Sequence, residues 1–206
     1  FYVMWSGVDL FFVLSGFLIA SQWFLSLEKD NLRWGLMKFY IKRVFRILPN
    51  YWIVLSLYAL QAMFLTGHDL DLWKYLLFVQ NFFDIPIFGV SWSLCVEEHF
   101  YLIFPFSAFL LWKLGNKWVT LGFVVGILGL TVSLRHFFWT HEVMSFYHSV
   151  PKNLQDYESL YSYYTSIYFP TYTRLDGLTF GVLLAALKHY FPVLWSKMLE
   201  RGTGFM

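Results

Sequence analysis

The sequence predicts an all-α fold, a polytopic transmembrane helix bundle with about five spans, on three observations. Hydrophobic residues make up 58% and charged residues 14% of the 206, against roughly 45–50% and 25% in soluble globular domains. Aromatic residues reach 23%, which suits a chain that meets two bilayer interfaces. The apolar residues also gather into stretches close to the roughly 20 that one helix needs to cross the hydrocarbon core. The formal net charge of +2 is too small to call for nucleic acid, so the positions of the cations matter more than their sum. Cys95 is the single cysteine and excludes an internal disulfide. The chain opens at Phe1 with no basic n-region, so the expectation is an excerpt of a longer protein and no signal peptide at its start.

The first span is read over residues 5–27. It holds one acid, Asp9, and small residues Ser15, Gly16 and Ala20 that let another helix come close. The chain then turns basic, with Lys29, Arg33, Lys38, Lys42, Arg43 and Arg46 opposed only by Glu28 and Asp30. Lys38, Lys42, Arg43 and Arg46 share one face at helical spacing. Residues 35–48 are therefore expected as a basic amphipathic helix on the cytoplasmic surface, touching anionic lipid. The sharper reading is an anion-binding pair, Arg43 and Arg46, since a planar guanidinium pairs with phosphate through two parallel bonds.

A second span is expected over 51–66, followed by an interfacial or re-entrant aromatic stretch to Phe88 that includes His68, Asp69, Asp71, Lys74, Asn81, Asp84 and Pro86. The third span, 92–114, is the most informative because it carries Glu97, Glu98 and His99 in a row. An ionised carboxylate inside a bilayer costs several kcal/mol, so these acids need partners. Consecutive residues project about 100° apart, so Glu97 and Glu98 cannot face the same neighbour. Ser93 and Tyr101 lie four residues either side of Glu97 on its face, and both can hydrogen-bond. A fourth span, 118–134, offers Gly122, Gly126 and Gly129 for close packing. Residues 135–173 read as a long polar loop rich in tyrosine. The last span, 175–190, has Gly177 and Gly181 at small-xxx-small spacing.

Charge orients this arrangement. With the basic segment 29–46 inside, the cytoplasmic side holds Lys29, Arg33, Lys38, Lys42, Arg43, Arg46, Lys113, Lys117, Lys188, Lys197 and Arg201, eleven of the 15 Lys and Arg. Lys74, Arg135, Lys152 and Arg174 stay outside. Asp9, Glu97, Glu98, Arg174 and Asp176 are then expected in the outer half of the membrane, and the Arg pair at the opposite leaflet.

Four segments in this order resemble the acyltransferase-3 family of integral membrane acyltransferases, which O-acylate cell-surface carbohydrates. They are Gly7-Val8-Asp9-Leu10-Phe11-Phe12-Val13-Leu14-Ser15-Gly16-Phe17-Leu18-Ile19; Arg43-x-x-Arg46 followed by Ile47 and Pro49; Trp92-Ser93-Leu94-Cys95-Val96-Glu97-Glu98-His99-Phe100-Tyr101 with Pro105; and Arg174-x-Asp176-Gly177-Leu178 with Gly181. The third looks like the family's W-S-L-x-V-E-x-x-F-Y, so Glu97 carries the resemblance better than Glu98. It implies a plasma (inner) membrane protein of about ten spans, with an acyl-CoA donor, acetyl-CoA foremost, on the cytoplasmic side and a carbohydrate hydroxyl as acceptor outside. The Arg pair would serve the donor. The family's proposed catalytic histidine lies on a helix upstream of the Gly7-Val8-Asp9 motif, so this chain alone is expected to be inactive without the protein's other helices.

Acyl transfer to a hydroxyl needs a base for the alcohol proton and positive charge where the carbonyl oxygen becomes anionic. Glu97 and Asp9 suit the orientation of an imidazole; the competing reading pairs both acids with Arg174 to pin helices. Trp92, Ser93, Glu98, Tyr101, Arg174 and Asp176 complete the polar set. His136, His141 and His148 do not match the i, i+4 zinc spacing, so no metal is expected. Cys95 in its apolar setting argues against an acyl-cysteine intermediate. The alternative function is a proton-coupled secondary transporter with Glu97, Glu98, His99 and Asp176 as a relay, though no inverted repeat is visible.

Overall fold

A computed structural model describes residues 3–27, 32–66, 71–83, 88–149, 151 and 155–203. The elements are α1 (Val3–Leu27), α2 (Leu32–Gln61), α3 (Leu72–Leu76), α4 (Ser91–Leu114), α5 (Lys117–Phe138), α6 (Met144–Ser149), α7 (Gln155–Tyr163), α8 (Leu175–Tyr190) and α9 (Pro192–Thr203). Short π-helical turns extend α2 (Ala62–Thr66), follow α5 (Trp139–Val143) and follow α7 (Tyr164–Tyr168). Among the described residues there is no strand, and four helical stretches are long and apolar enough to cross a membrane, or five if α8 and α9 are taken together. The polytopic helical class therefore holds.

Two boundaries differ from expectation. The basic segment and the second span are one helix: α2 runs from Leu32 to Gln61 with Pro49 inside it. Proline removes one backbone donor, but helices in apolar surroundings tolerate it because neighbours re-satisfy the freed carbonyl. The polar loop expected over 135–173 is largely helical, since α5 continues to Phe138 and α6 and α7 follow. Polarity does not impose irregularity there, since Gln, Glu, Leu and Ser are all compatible with helix. Lys29, Glu28, Asp30, His68, Asp69, Asp84, Pro86 and Lys152, all placed by the sequence reading, lie outside the described residues.

The chain divides into two units, one of residues 1–30, 102–133 and 175–206, the other of 31–101 and 134–174. In the first, α1 and α8 pack along their whole length. A methyl group built on Gly16 would fall 2.0 Å from the Leu178 carbonyl oxygen, and one on Gly181 would fall 2.1 Å from that of Val13 and 2.5 Å from the Phe17 nitrogen. These helices touch backbone to backbone, which only glycine permits. Contacts climb both helices in the same direction, from Gly177 against Phe12 to His189 stacked on Phe24 at 4.5 Å, so α1 and α8 run parallel. Gly122, Gly126 and Gly129 on α5 have nothing within 4 Å of such a methyl; the close packing expected of them is not made among the described residues.

The α4–α5 turn shows how the sequence sets its corners. Gly115, at φ +65°, takes the left-handed position that ends a helix and bonds back to the Trp112 carbonyl at 2.9 Å. Asn116 then caps α5 by accepting from the Trp118 amide at 2.9 Å. In the second unit Tyr51, Leu55, Tyr75 and Phe88 form a buried cluster, tied by the Tyr51 hydroxyl donating to the Tyr75 carbonyl at 2.9 Å.

Candidate functional site

The site is built on two helices of the second unit. α4 starts where Ser91 turns back onto the Phe88 carbonyl, its hydroxyl donating at 2.7 Å and its amide at 3.1 Å. One turn later come Glu97, 3% exposed, and Glu98, half-buried. The i, i+4 spacing brings the Tyr101 hydroxyl to Glu97, to which it donates at 2.9 Å. Arg43 of α2 donates from Nη1 to the same hydroxyl at 2.9 Å, and its guanidinium carbon lies 4.0 Å from the centre of the Tyr101 ring. Phe39 stands edge-on to that ring at 6.4 Å, and the Tyr40 hydroxyl donates to the Tyr101 carbonyl at 3.3 Å. Glu98 also interacts electrostatically with Arg43 and Glu97. A guanidinium, a phenol and a carboxylate thus form one chain of charge-assisted bonds away from bulk water, where such bonds are strong.

This geometry corrects one expectation. Arg43 and Glu97 are not at opposite leaflets, because two consecutive hydrogen bonds through one oxygen join them. The cause is the unbroken α2: the basic segment is continuous with the second apolar stretch, and Arg43 lies within Met37–Phe64, which is long and apolar enough to span. The Arg pair is also divided. Arg43 is half-buried and turned to Tyr101, whereas Arg46 is exposed.

The other polar residues take separate places. Ser93 does not join Glu97; its hydroxyl donates to the Val90 carbonyl at a long 3.5 Å. Trp92 is buried against Tyr168 at 4.7 Å and Phe169 at 6.0 Å. Arg174, 9% exposed, lies 5.3 Å from the Trp92 ring and 5.0 Å from that of Tyr168, a cation–π arrangement. In the first unit Asp9 is exposed on α1, and Asp176 is half-buried in the opening turn of α8, where a helix N-terminus favours negative charge.

Several contacts of residues already singled out, and the roles of Phe78 and Gln80, escaped the sequence reading. His99 pairs with the Thr171 hydroxyl at 2.9 Å, and Cys95, fully buried, donates its thiol to the Phe78 carbonyl at 2.6 Å. Phe78 sits at φ 55°, a left-handed backbone uncommon for a bulky residue, and stacks on Tyr51 at 4.8 Å. The turn it makes leads to Gln80 and Asn81, each 2% exposed. Asn81 donates to the Trp92 carbonyl at 2.8 Å and fixes the start of α4. Adjacent amides inside an aromatic stretch were the available signal. Arg135, expected in an outer loop, is half-buried and donates from Nε to the Thr173 carbonyl at 2.7 Å. Among the described residues no three His, Cys, Asp or Glu side chains are grouped to hold a metal ion.

Comparison with known proteins agrees with the motif order. The acyltransferase-3 family model, described as an acyltransferase domain, matches residues 5–198. A Staphylococcus aureus (strain COL) protein named "Putative O-acetyltransferase" is 30% identical over 203 residues, covering 88% of this chain and 30% of its own length. A peptidoglycan O-acetyltransferase of Listeria monocytogenes is 35% identical over 133 residues, covering 55% of this chain and 20% of its own length. The chain thus spans under a third of either relative. No solved structure matches it.

Proposed function

This chain belongs to the acyltransferase-3 family, and on that premise we propose that it is the part of a membrane O-acetyltransferase that receives acetyl-CoA and presents its acetyl group to a carbohydrate hydroxyl across the bilayer. The observation that carries this reading is the Arg43–Tyr101–Glu97 chain. A guanidinium has about five N–H donors; among the described residues Arg43 commits only the one given to Tyr101, and Arg46, three residues on, is exposed. These two therefore fit the phosphates of a coenzyme, and the bound coenzyme would supply the thioester. Glu97 keeps the Tyr101 hydroxyl aimed and holds negative charge next to Arg43, which fixes the guanidinium before a ligand arrives and lowers the ordering cost of binding.

Glu97 and Asp9 are proposed as the acids that support the reaction from this chain, with the base on a helix outside it. Trp92, Ser93, Glu98, Arg174 and Asp176 belong to the polar surroundings of donor and acceptor. The names of the relatives support acetyl as the group transferred, and the peptidoglycan enzyme supports a glycan acceptor. The basic end of the membrane segment is proposed to face the cytoplasm, from the excess of Lys and Arg there.

The test uses the full-length protein. Arg43→Ala with Arg46→Ala is expected to abolish acetyl-CoA-dependent glycan acetylation while the protein still inserts and expresses. Unchanged acetylation in that double variant would remove the donor site. Acetyl-CoA-independent, pH-gradient-driven solute flux would instead favour transport.

A further inference from the structure

The last two helices carry a feature that acyl transfer does not use. α8 stops at Tyr190, α9 starts at Pro192, and their axes differ by 110°. Proline suits the first position of a helix and cannot continue the previous one, so the bend is written into the sequence. α9 is 12 residues long, about 18 Å at 1.5 Å per residue, well short of the roughly 30 Å hydrocarbon core.

At about 100° per residue, Leu194, Trp195, Met198 and Leu199 fall on one arc of α9 and Ser196, Lys197 and Glu200 on the opposite arc, where Val193 is the one apolar residue and is 67% exposed. Trp195 stacks on Phe17 of α1 at 6.1 Å and 16°. Around it Leu194, Met198 and Leu199 remain 49%, 49% and 55% exposed. Cations and aromatic rings surround the bend: Lys117 lies 4.9 Å from the ring of Phe191, Lys188 lies 5.6 Å from that of Phe17, and Trp118 packs on Phe191 at 5.7 Å. All of these residues belong to one unit.

We propose that α9 is an in-plane anchor at the membrane surface where α8 ends, with its apolar arc covered by lipid acyl chains and Lys117, Lys188 and Lys197 binding anionic phospholipid headgroups. Continuity with the span selects the occupant. α8 and α9 qualify as a span only together; with α8, 16 residues long, taken as the membrane-crossing part, a helix leaving its end nearly at right angles begins at interface depth, and its charged arc would be costly to carry into the hydrocarbon. The apolar arc matches the acyl boundary, and tryptophan with lysine is the composition of that layer.

Nitroxide labels placed singly at residues 193–200 of the full-length protein, with other accessible cysteines replaced, would read depth in phosphatidylcholine nanodiscs from oxygen and water-soluble nickel collisions. The expected result is a depth that oscillates with helical period, deepest at 195 and 198 and shallowest at 193 and 200. Depth that increases steadily along α9 would make it half of a broken span. Shielding from both relaxers at 194, 198 and 199 would make it a contact with another part of the protein. Either result overturns the anchor. In a second arm, adding phosphatidylglycerol to the nanodiscs should raise the melting temperature of the wild type, and the variant with Lys117→Gln, Lys188→Gln and Lys197→Gln should lose that rise. Should the triple variant not fold, Lys197→Gln alone, at an exposed position, should diminish it. A full rise in the variant measured overturns the headgroup assignment.

Discussion

The hydroxyl of Tyr101 is shared between an acid four residues before it and a base 58 residues before it. Tyr101→Phe keeps the ring beneath the Arg43 guanidinium and removes both hydrogen bonds. A hydrogen bond to a charged group contributes about 1.5–3 kcal/mol, so the variant should lose about that much stability while still inserting, and acetyl transfer should fall on the order of ten- to a hundredfold. An unaltered rate would mean that Arg43 and Glu97 need no bridge. Glu97→Gln keeps the acceptor and drops the charge; a smaller loss is expected, read as a raised KM for acetyl-CoA. A second residue tests electrostatics outside the spans. Burial, with the Glu142 carboxylate adding to it, raises the pKa of the Tyr172 hydroxyl above its ordinary value. A raised folded pKa means that the related stability is full below the unfolded value and is lost as pH climbs through the folded one. The tyrosinate absorbance missing from Tyr172→Phe should therefore appear late in an alkaline titration. At this scale the sequence was half legible. Helical spacing put Tyr101 on the face of Glu97, but no local rule could bring Arg43 to the same oxygen, since that pairing depends on how α2 and α4 lie together.

For the elements, the α1–α8 seam makes the sharpest claim. Gly181→Ala places a methyl 2.1 Å from a backbone oxygen, where no side chain can yield, and should cost about 1–3 kcal/mol. Gly126→Ala, with nothing within 4 Å, should be neutral or slightly stabilising, because alanine is the better helix former. Thermal unfolding of both variants in one nanodisc gives the comparison, and equal effects would refute the seam. Small-xxx-small spacing occurs on α5 and α8 alike, so spacing announced a capacity and only the partner surface decided its use. Helix ends were legible where Gly115, Asn116 and Pro192 stand. They were missed where Pro49 suggested a stop inside α2, because an apolar environment forgives a missing donor more readily than sequence rules assume.

For the molecule, direction is the constraint. α1 and α8 run parallel, so if both cross a membrane an odd number of crossings must separate them, and the three stretches between them that are long and apolar enough, Met37–Phe64, Ser91–Leu114 and Lys117–Ser149, would supply that number. This leaves α3 and α7, of 5 and 9 residues, outside the candidate spans, while α6 continues the stretch that begins with α5. Phe45, Phe64 and Phe106 remain 74%, 76% and 69% exposed, as suits faces meant for lipid or for further helices. Expressed alone, the 206-residue chain should resist carbonate extraction from membranes yet show no acetyl transfer. Release by carbonate would contradict the span assignment.

The glycine seam also governs the order in which the protein can be made. The groove that Gly16 opens on α1 has no occupant until Leu175 and the residues after it leave the ribosome. The first span must therefore wait in the bilayer through the synthesis of everything between, and a chain arrested before α8 would present that bare backbone to membrane quality-control proteases.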